Sequence, residues 1–383
     1  MIKVAFLNPT IPPRVVSLLN RISKNEEVVL KAFFFAVSQK NRSWSLKSKE
    51  YERISFPFEI LNSVTFGFGI KDYHNSFLSF DIWQKLSDYD PDIVLLPGWA
   101  DVTSYLAFMW AKYNHKKIIL RSESTVYEKS IRRIIFSPIS NILCKNVDLI
   151  IGSSYRASEY SKLLAPNTKA ITIWSSFDTL KFNQQVNKVK ENKNKIKDEL
   201  GILQKRVFYF NGQTIERKGL LLLLAVFLKK KYEDYALVIT GKGKLDDRIN
   251  AIAQKNNNIY HFGYQTQNKL PTFYAVSDFF ILPSFEETWG LVTVEALAAG
   301  LPVIVSDMAG SSELIVEGDQ GFIISSLSIF GIESKVQEAL ALSKKDYNRM
   351  KSAGESLALS TLSYESIANQ FVNEFKQLFV DNK

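Results

Sequence analysis

Two carboxylates, Glu287 and Glu295, stand with seven residues between them in Glu287-Thr288-Trp289-Gly290-Leu291-Val292-Thr293-Val294-Glu295. A carboxylate accepts hydrogen bonds from hydroxyls and can take two at once. The apolar run Phe279–Leu282 before the pair reads as a buried strand, and Leu291–Ala299 after Glu287 reads as a helix. Glu287 therefore falls in the loop at the carboxyl end of a strand, and Glu295 about one turn into the helix. The N–H groups of Gly290, Leu291 and Val292 open that helix without intrahelical acceptors, where the helix dipole favours an anion. One segment thus offers a phosphate seat with a hydroxyl acceptor on either side, which suits a nucleotide-sugar. Glu286 adjoins the pair, but only Glu287 has the spacing.

Elements of alternating type must hold such a loop. Strand patterns at 2–7, 28–35, 93–96, 118–120, 149–152 and 170–173 alternate with helical patterns at 15–22, 103–113, 130–144 and 158–164. The alternation resumes with strands at 207–211, 236–240, 259–262, 279–282 and 302–305 and helices at 220–228, 245–253 and 270–276. Strand–helix alternation argues for parallel sheets covered on both faces. At 383 residues the chain is long enough for two such domains. The polar run 183–195 reads as the surface connection between them, which places the domains at 1–185 and 196–363. Residues 40–79 are rich in Ser, Lys and aromatics, with one strand expected near 59–62. A last helix is expected over about 364–379.

Composition excludes several classes. No apolar run is long enough for a membrane-spanning helix, and the N-terminal stretch lacks the pattern of a signal peptide. A single cysteine, Cys144, rules out an internal disulfide, and the three histidines show no metal-ligand spacing. A cytoplasmic, metal-free protein is expected. The net charge of +9 fits either a solvated basic surface or attraction to an anionic membrane face. No nucleic-acid-binding motif accompanies it. Asp88-Tyr89-Asp90 precedes the strand at 93–96, on the wrong edge of the sheet for a ligand, and reads as a turn. The basic amphipathic stretch 130–145 suits either packing on its own sheet or a membrane surface.

The segment from Glu287 through Glu295, Ala296 and Gly300 to Pro302-Val303, continuing through Ala309-Gly310-Ser311-Ser312-Glu313, resembles the retaining glycosyltransferases of family 4. The resemblance is specific over roughly residues 206–325. It implies the α/β GT-B fold, with two Rossmann-like parallel-sheet domains facing across a cleft. It also implies that a C-terminal helix, 364–383, crosses back to the first domain. The implied reaction moves a sugar from a UDP- or GDP-linked donor to a hydroxyl acceptor with retention and without a metal or other cofactor. Surface polysaccharide or glycoconjugate assembly is the implied setting.

The resemblance assigns roles residue by residue. Glu287 would bind and orient the donor sugar, and Glu295 would accept the ribose hydroxyls. Trp289, Gly290, Leu291, Val292 and Thr293 would line the donor seat. In Gly212-Gln213-Thr214-Ile215-Glu216-Arg217-Lys218-Gly219, Lys218 matches the family's diphosphate-binding lysine, whose point charge suits a departing phosphate. The family's arginine position holds Gln213, an amide that donates hydrogen bonds without neutralising charge. Either Arg217 reaches in or the site works with one cation. Gly241 serves either close backbone approach to the nucleotide or plain turn geometry. Gln265, beside Tyr264, follows another strand and would face the base. In the first domain Trp99, Arg121 and Glu123 follow strand ends and are the acceptor-side candidates. A nucleotide-sugar-binding partner subunit without transferase activity is the alternative, favoured by the missing arginine. A dinucleotide-dependent enzyme would need a complete Gly-x-Gly-x-x-Gly, which the sequence lacks.

Overall fold

The computed structural model describes residues 1–37, 53–66, 76–126 and 140–380. The chain forms two compact units, one from Met1–Phe177 with Tyr364–Lys383 and one from Asp178–Ser363. The first unit is built on a seven-stranded sheet of β1 (Ile2–Asn8), β2 (Val28–Phe34), β3 (Phe58–Ile60), β6 (Ile93–Leu96), β7 (Lys117–Ser122), β8 (Leu149–Gly152) and β9 (Ala170–Thr172). The spatial order is β3-β2-β1-β6-β7-β8-β9, and every pair is parallel. A separate antiparallel pair joins β4 (Ser63–Phe66) to β5 (Ser76–Ser79). Central strands such as Ile93–Leu96 and Leu149–Gly152 are buried throughout. That is the environment their unbroken apolar runs require, since helices cover both faces of a parallel sheet.

The second unit repeats the plan with β10 (Arg206–Asn211), β11 (Tyr235–Thr240), β12 (Ile259–His261), β13 (Phe279–Leu282), β14 (Val303–Ser306) and β15 (Gly321–Ile324). Its order is β12-β11-β10-β13-β14-β15, again all parallel. The order reverses between β10 and β13, which makes their carboxyl ends the switch point of this sheet. The sheet has one strand more than the pattern closing at 302–305 implied. β15 is short, begins at Gly321 and follows a turn, so its apolar run is too brief to stand out.

The run 183–195 is not a bare connection. It lies within two helices, Thr179–Lys190 and Lys193–Glu199, both in the second unit. Phe182 and Val186 are buried there at helical spacing. Asn183 Nδ2 donates to the Ala298 carbonyl (2.8 Å) and to Glu355 Oε1 (2.7 Å). Lys190 Nζ donates to the Ala299 carbonyl (2.6 Å), and burial lowers its pKa to about 8. Polar side chains disguised a packed helix because their hydrogen bonds end on helix carbonyls and a carboxylate far along the chain.

The final helix, Tyr364–Val380, packs on the helix Pro13–Ile22 of the first unit. Tyr364 Oη donates to the Arg14 carbonyl (2.9 Å), and Ile367, Phe371, Phe375 and Leu378 are buried. Each fully buried apolar side chain of this size contributes about 1.5–3 kcal/mol. The rim pairs Lys169–Glu374 and Lys376–Glu27 are partly exposed and add little. Asp88-Tyr89-Asp90 ends the helix Ile82–Tyr89, with Asp90 in the left-handed region and paired to Lys116 at 2.6 Å. This is the turn read from the sequence. Of the amphipathic stretch 130–145, residues 130–139 lie outside the described residues.

Candidate functional site

The loops after β10 and β13 meet at the switch point of the second sheet. Phe285 N–H donates to the Arg217 carbonyl (2.8 Å), and Arg217 Nη1 donates to the Glu286 carbonyl. Lys218 Nζ donates to Glu287 Oε2. Gly219 makes this stitching possible. Its φ is +68°, and a Cβ there would lie 1.9 Å from the Pro283 carbonyl oxygen. We expect Gly219→Ala to lower unfolding stability by about 3 kcal/mol or more, because the clash is with backbone and φ is positive. Urea denaturation measures it, and a loss below 1 kcal/mol, the ordinary scale of a tolerated substitution, would contradict the close approach.

Lys218 is 7% exposed, although its residue type seldom is. Burial, and then the neighbouring Arg217 guanidinium, lower its ammonium to about 8, with Glu286 acting the other way. Contact with Glu287 opposes the burial as well, since a carboxylate favours the charged ammonium. Arg217 thus stands beside Lys218, anchored on the Glu286 carbonyl. Position 217 places a second cation in the same loop as Gln213. Gln213 is itself exposed.

Glu287 is braced from behind. Its carbonyl accepts from Gly310 N–H (2.9 Å), and the Trp289 carbonyl accepts from Ser311 N–H (2.6 Å). Ser311 Oγ donates to Thr293 Oγ1 (2.8 Å), and Thr293 is fully buried. Thr293 therefore ties the start of the helix Leu291–Ala298 to the 310–314 turn. Trp289 is buried, and Gly290 forms the helix N-cap with φ +93°. Leu291 and Val292 are half-buried. Among the described hydrogen bonds their N–H groups have no acceptor. This leaves a helix start with donors available to an anion beside a lysine.

Glu295 lies one turn deeper and is 8% exposed. Tyr274 Oη donates to its Oε2 (2.7 Å), and Asn211 Nδ2 lies 3.4 Å from the same oxygen. Asn211 is held in turn by Thr240 Oγ1, which donates to its Oδ1 (3.0 Å), and Thr240 meets Tyr209 Oη at 2.6 Å. Both donors converge on Oε2, which orients the carboxylate and leaves Oε1 to other partners. Burial raises the carboxyl to about 7, partly offset by the bonds from Tyr274 and Asn211. Neither Tyr274 nor Asn211 was assigned a role from sequence. The available signal was a tyrosine in the apolar face of a short helix, whose hydroxyl needs a partner once buried.

The remaining donor-side candidates sit at the neighbouring strand ends. At Gly241, with φ +138°, a Cβ would lie 1.7 Å from the Gly212 carbonyl oxygen. The close approach of the Gly212 carbonyl demands glycine there. Gln265 is half-buried and donates to the Phe262 carbonyl (2.6 Å), while Tyr264 is exposed. The structure gathers Lys218, Arg217, Glu287, the helix start and Glu295 around the ends of β10 and β13. In the first unit Trp99 packs on the hydrophobic core, with its carbonyl accepting from Tyr105 Oη (3.0 Å). Arg121 lies over the Phe6 ring at 5.7 Å, and Glu123 is exposed. Among the described residues no three His, Cys, Asp or Glu side chains gather as metal ligands.

Comparison with known proteins finds a match for part of the second unit and fold neighbours for the whole chain. Residues 192–357 match the family model described as "Glycosyl transferases group 1". The chain is 27% identical over 248 residues to a lipopolysaccharide 1,2-N-acetylglucosaminetransferase of Salmonella typhimurium, covering 60% of this chain and 62% of that protein. The first curated relatives are matched over less than two thirds of their own length. Among solved structures, a glycosyltransferase from Rickettsia africae superposes with a TM-score of 0.75 at 15% identity, covering 99% of this chain and 98% of that one. The Anabaena protein HepE in complex with UDP-glucose superposes with a TM-score of 0.69 at 14% identity, covering 98% and 100%. No described helix is long and apolar enough to cross a membrane. The chain has the GT-B fold, and its second unit carries the sequence pattern of the group 1 glycosyl transferases.

Proposed function

We propose that this protein is a retaining glycosyltransferase that moves a sugar from a nucleotide-sugar to a hydroxyl acceptor in polysaccharide or lipopolysaccharide assembly. The observation that carries the reading is the Lys218–Glu287 contact beside the open N–H groups of Leu291 and Val292. The diphosphate rests on those N–H groups, and Lys218 and Arg217 face the charge that develops on it. Glu287 holds hydroxyls of the transferred sugar. Glu295, oriented by Tyr274 and Asn211, accepts the ribose hydroxyls through its remaining oxygen. The named Salmonella relative supports sugar transfer, and the UDP-glucose complex of HepE supports this class of donor.

In the proposed step the acceptor oxygen bonds to the anomeric carbon on the face that the diphosphate leaves. The anomeric carbon–oxygen bond breaks, the diphosphate takes the electron pair, and its oxygen then takes the acceptor's proton. The two cations and the helix start supply the positive charge, so the step is written without a divalent ion. A cytoplasmic setting at an anionic membrane face fits the net charge of +9. The second reading, a nucleotide-sugar binder without transfer, draws on Gln213. Incubation with labelled UDP- and GDP-sugars and a panel of hydroxyl acceptors separates the two. Labelled product establishes transfer, and tight donor binding with no product under any condition leaves only the binder.

The pH profile follows from two groups of opposite sign. Glu295 must be ionised to accept hydroxyls, and burial places its carboxyl at about 7 in the free protein. Lys218 must be protonated to face the phosphates, and its ammonium sits at about 8. The ratio kcat/KM for the donor therefore rises as pH increases through about 7 and falls above about 8. Glu295→Gln removes the acid limb and leaves the alkaline one. An unchanged acid limb in that variant rejects the assignment of Glu295.

A further inference from the structure

The first unit contains a cavity of about 40 Å³ at the carboxyl edge of its sheet. Residues following β7, β8 and β9 line it, together with the start of the helix Pro13–Ile22 and the final helix. The volume admits roughly three water-sized groups at about 10–15 Å³ each. Its polar lining includes Arg14, Arg121 and Ser122. Ser122 is 2% exposed, and its hydroxyl has no hydrogen-bond partner among the described residues. A buried hydroxyl left without a partner loses its hydration for nothing in return, unless something in the cavity meets it.

The charges around that hydroxyl are unbalanced. Arg121 is desolvated and packs its guanidinium on Phe6, yet no ion pair or hydrogen bond from it is formed among the described residues. Burial and the nearby Arg14 both act to lower its pKa, while Glu123 acts to raise it. Arg14 is exposed and likewise has no ion pair among the described residues. Glu123 also lines the cavity but is exposed and pairs with neither arginine. Water in the cavity can satisfy Ser122, but it cannot neutralise two guanidinium groups. An anion with several oxygens does both, since the guanidinium fork matches carboxylate and phosphate bidentately.

We propose that this cavity is an oxyanion pocket that receives the carboxylate or phosphate of an acidic sugar, with Arg121 and Arg14 as its cations and Ser122 as a neutral donor. That the acidic sugar is the acceptor rests on the transfer reading above; the oxyanion pocket itself does not. Tyr364 Oη, donating to the Arg14 carbonyl at 2.9 Å and the Ser176 carbonyl at 3.3 Å, fixes two walls of the pocket.

Calorimetric titration of the full chain at low salt tests the proposal with inorganic phosphate, glucose 6-phosphate, glucuronate and glucose. The charged probes are expected to bind and glucose not to. A preference for glucose 6-phosphate identifies a phosphate pocket, and a preference for glucuronate a carboxylate pocket. Arg121→Gln and Arg14→Gln are each expected to weaken the preferred probe about tenfold or more. Arg14 is exposed, so its variant keeps the fold even where Arg121→Gln does not, and UDP affinity serves as the check on both. Charged probes that bind no better than glucose overturn the proposal, as do arginine variants that bind like the unaltered protein. Oxyanion binding without sugar transfer sinks the transfer reading alone, and transfer without oxyanion binding sinks the pocket alone.

Discussion

Glu287→Gln is expected to lower kcat by about 10²–10³-fold while leaving nucleoside diphosphate affinity within about threefold. The carboxylate contacts the buried Lys218 ammonium, and its backbone is pinned by Gly310. Glutamine keeps the shape and the backbone bonds but removes the negative charge and one acceptor. Hydroxyls of a transferred sugar then lose their charged partner at the stage when the anomeric carbon becomes electron-poor. The nucleotide contacts proposed for the helix start and Glu295 are untouched. The check is a steady-state comparison of kcat with UDP or GDP affinity measured separately. Equal loss of both places Glu287 in nucleotide binding, and loss of neither removes it from the site.

The second large effect is expected at Lys218. Lys218→Met retains the length and the buried packing but deletes the cation. Transfer is expected to fall about 10²–10³-fold, because a donor aimed at developing negative charge is lost. Nucleoside diphosphate affinity falls as well, by about tenfold, whereas affinity for the unphosphorylated nucleoside stays unchanged. That contrast distinguishes a phosphate contact from a general collapse of the loop. The variant also leaves Glu287 without its counter-charge in a partly buried place, at a cost of about 1–3 kcal/mol in stability. A phosphate-independent loss of affinity would assign Lys218 to loop structure only. The double variant adds a further test. Removing both partners is expected to be less destabilising than Lys218→Met alone, since no isolated charge remains.

The two lysines with lowered pKa values show how similar chemistry serves different ends. Lys190 and Lys218 are both brought to about 8 by burial. Lys190 spends its donors on the Ala299 carbonyl at the end of the helix that carries Glu295. Lys218 meets a carboxylate at the switch point, beside an open helix start. Burial and a shifted pKa alone would not separate them; position relative to the strand ends does.

Much of this was legible in the residues. Unbroken apolar runs marked the central strands, and their alternation with helical periods determined a pair of parallel sheets. The spacing of Glu287 and Glu295 across a strand-to-helix turn, with Lys218 before Gly219, pointed to the candidate site at the ends of β10 and β13. These features are local, because periodicity and turn residues act over a few positions. The tertiary structure alone decided which distant groups serve them. Asn211 reaches Glu295 across 84 positions of sequence, and Arg217 reaches the Glu286 carbonyl across 69. The polar helix 179–190 joined the second unit for the same reason, through Asn183 and the Ala298 carbonyl. Arg14 and Ser122 came to line one cavity because the first sheet's strand order sets their loops on one edge. Hydrogen-bond partners at such separations follow from strand order, which no local pattern encodes.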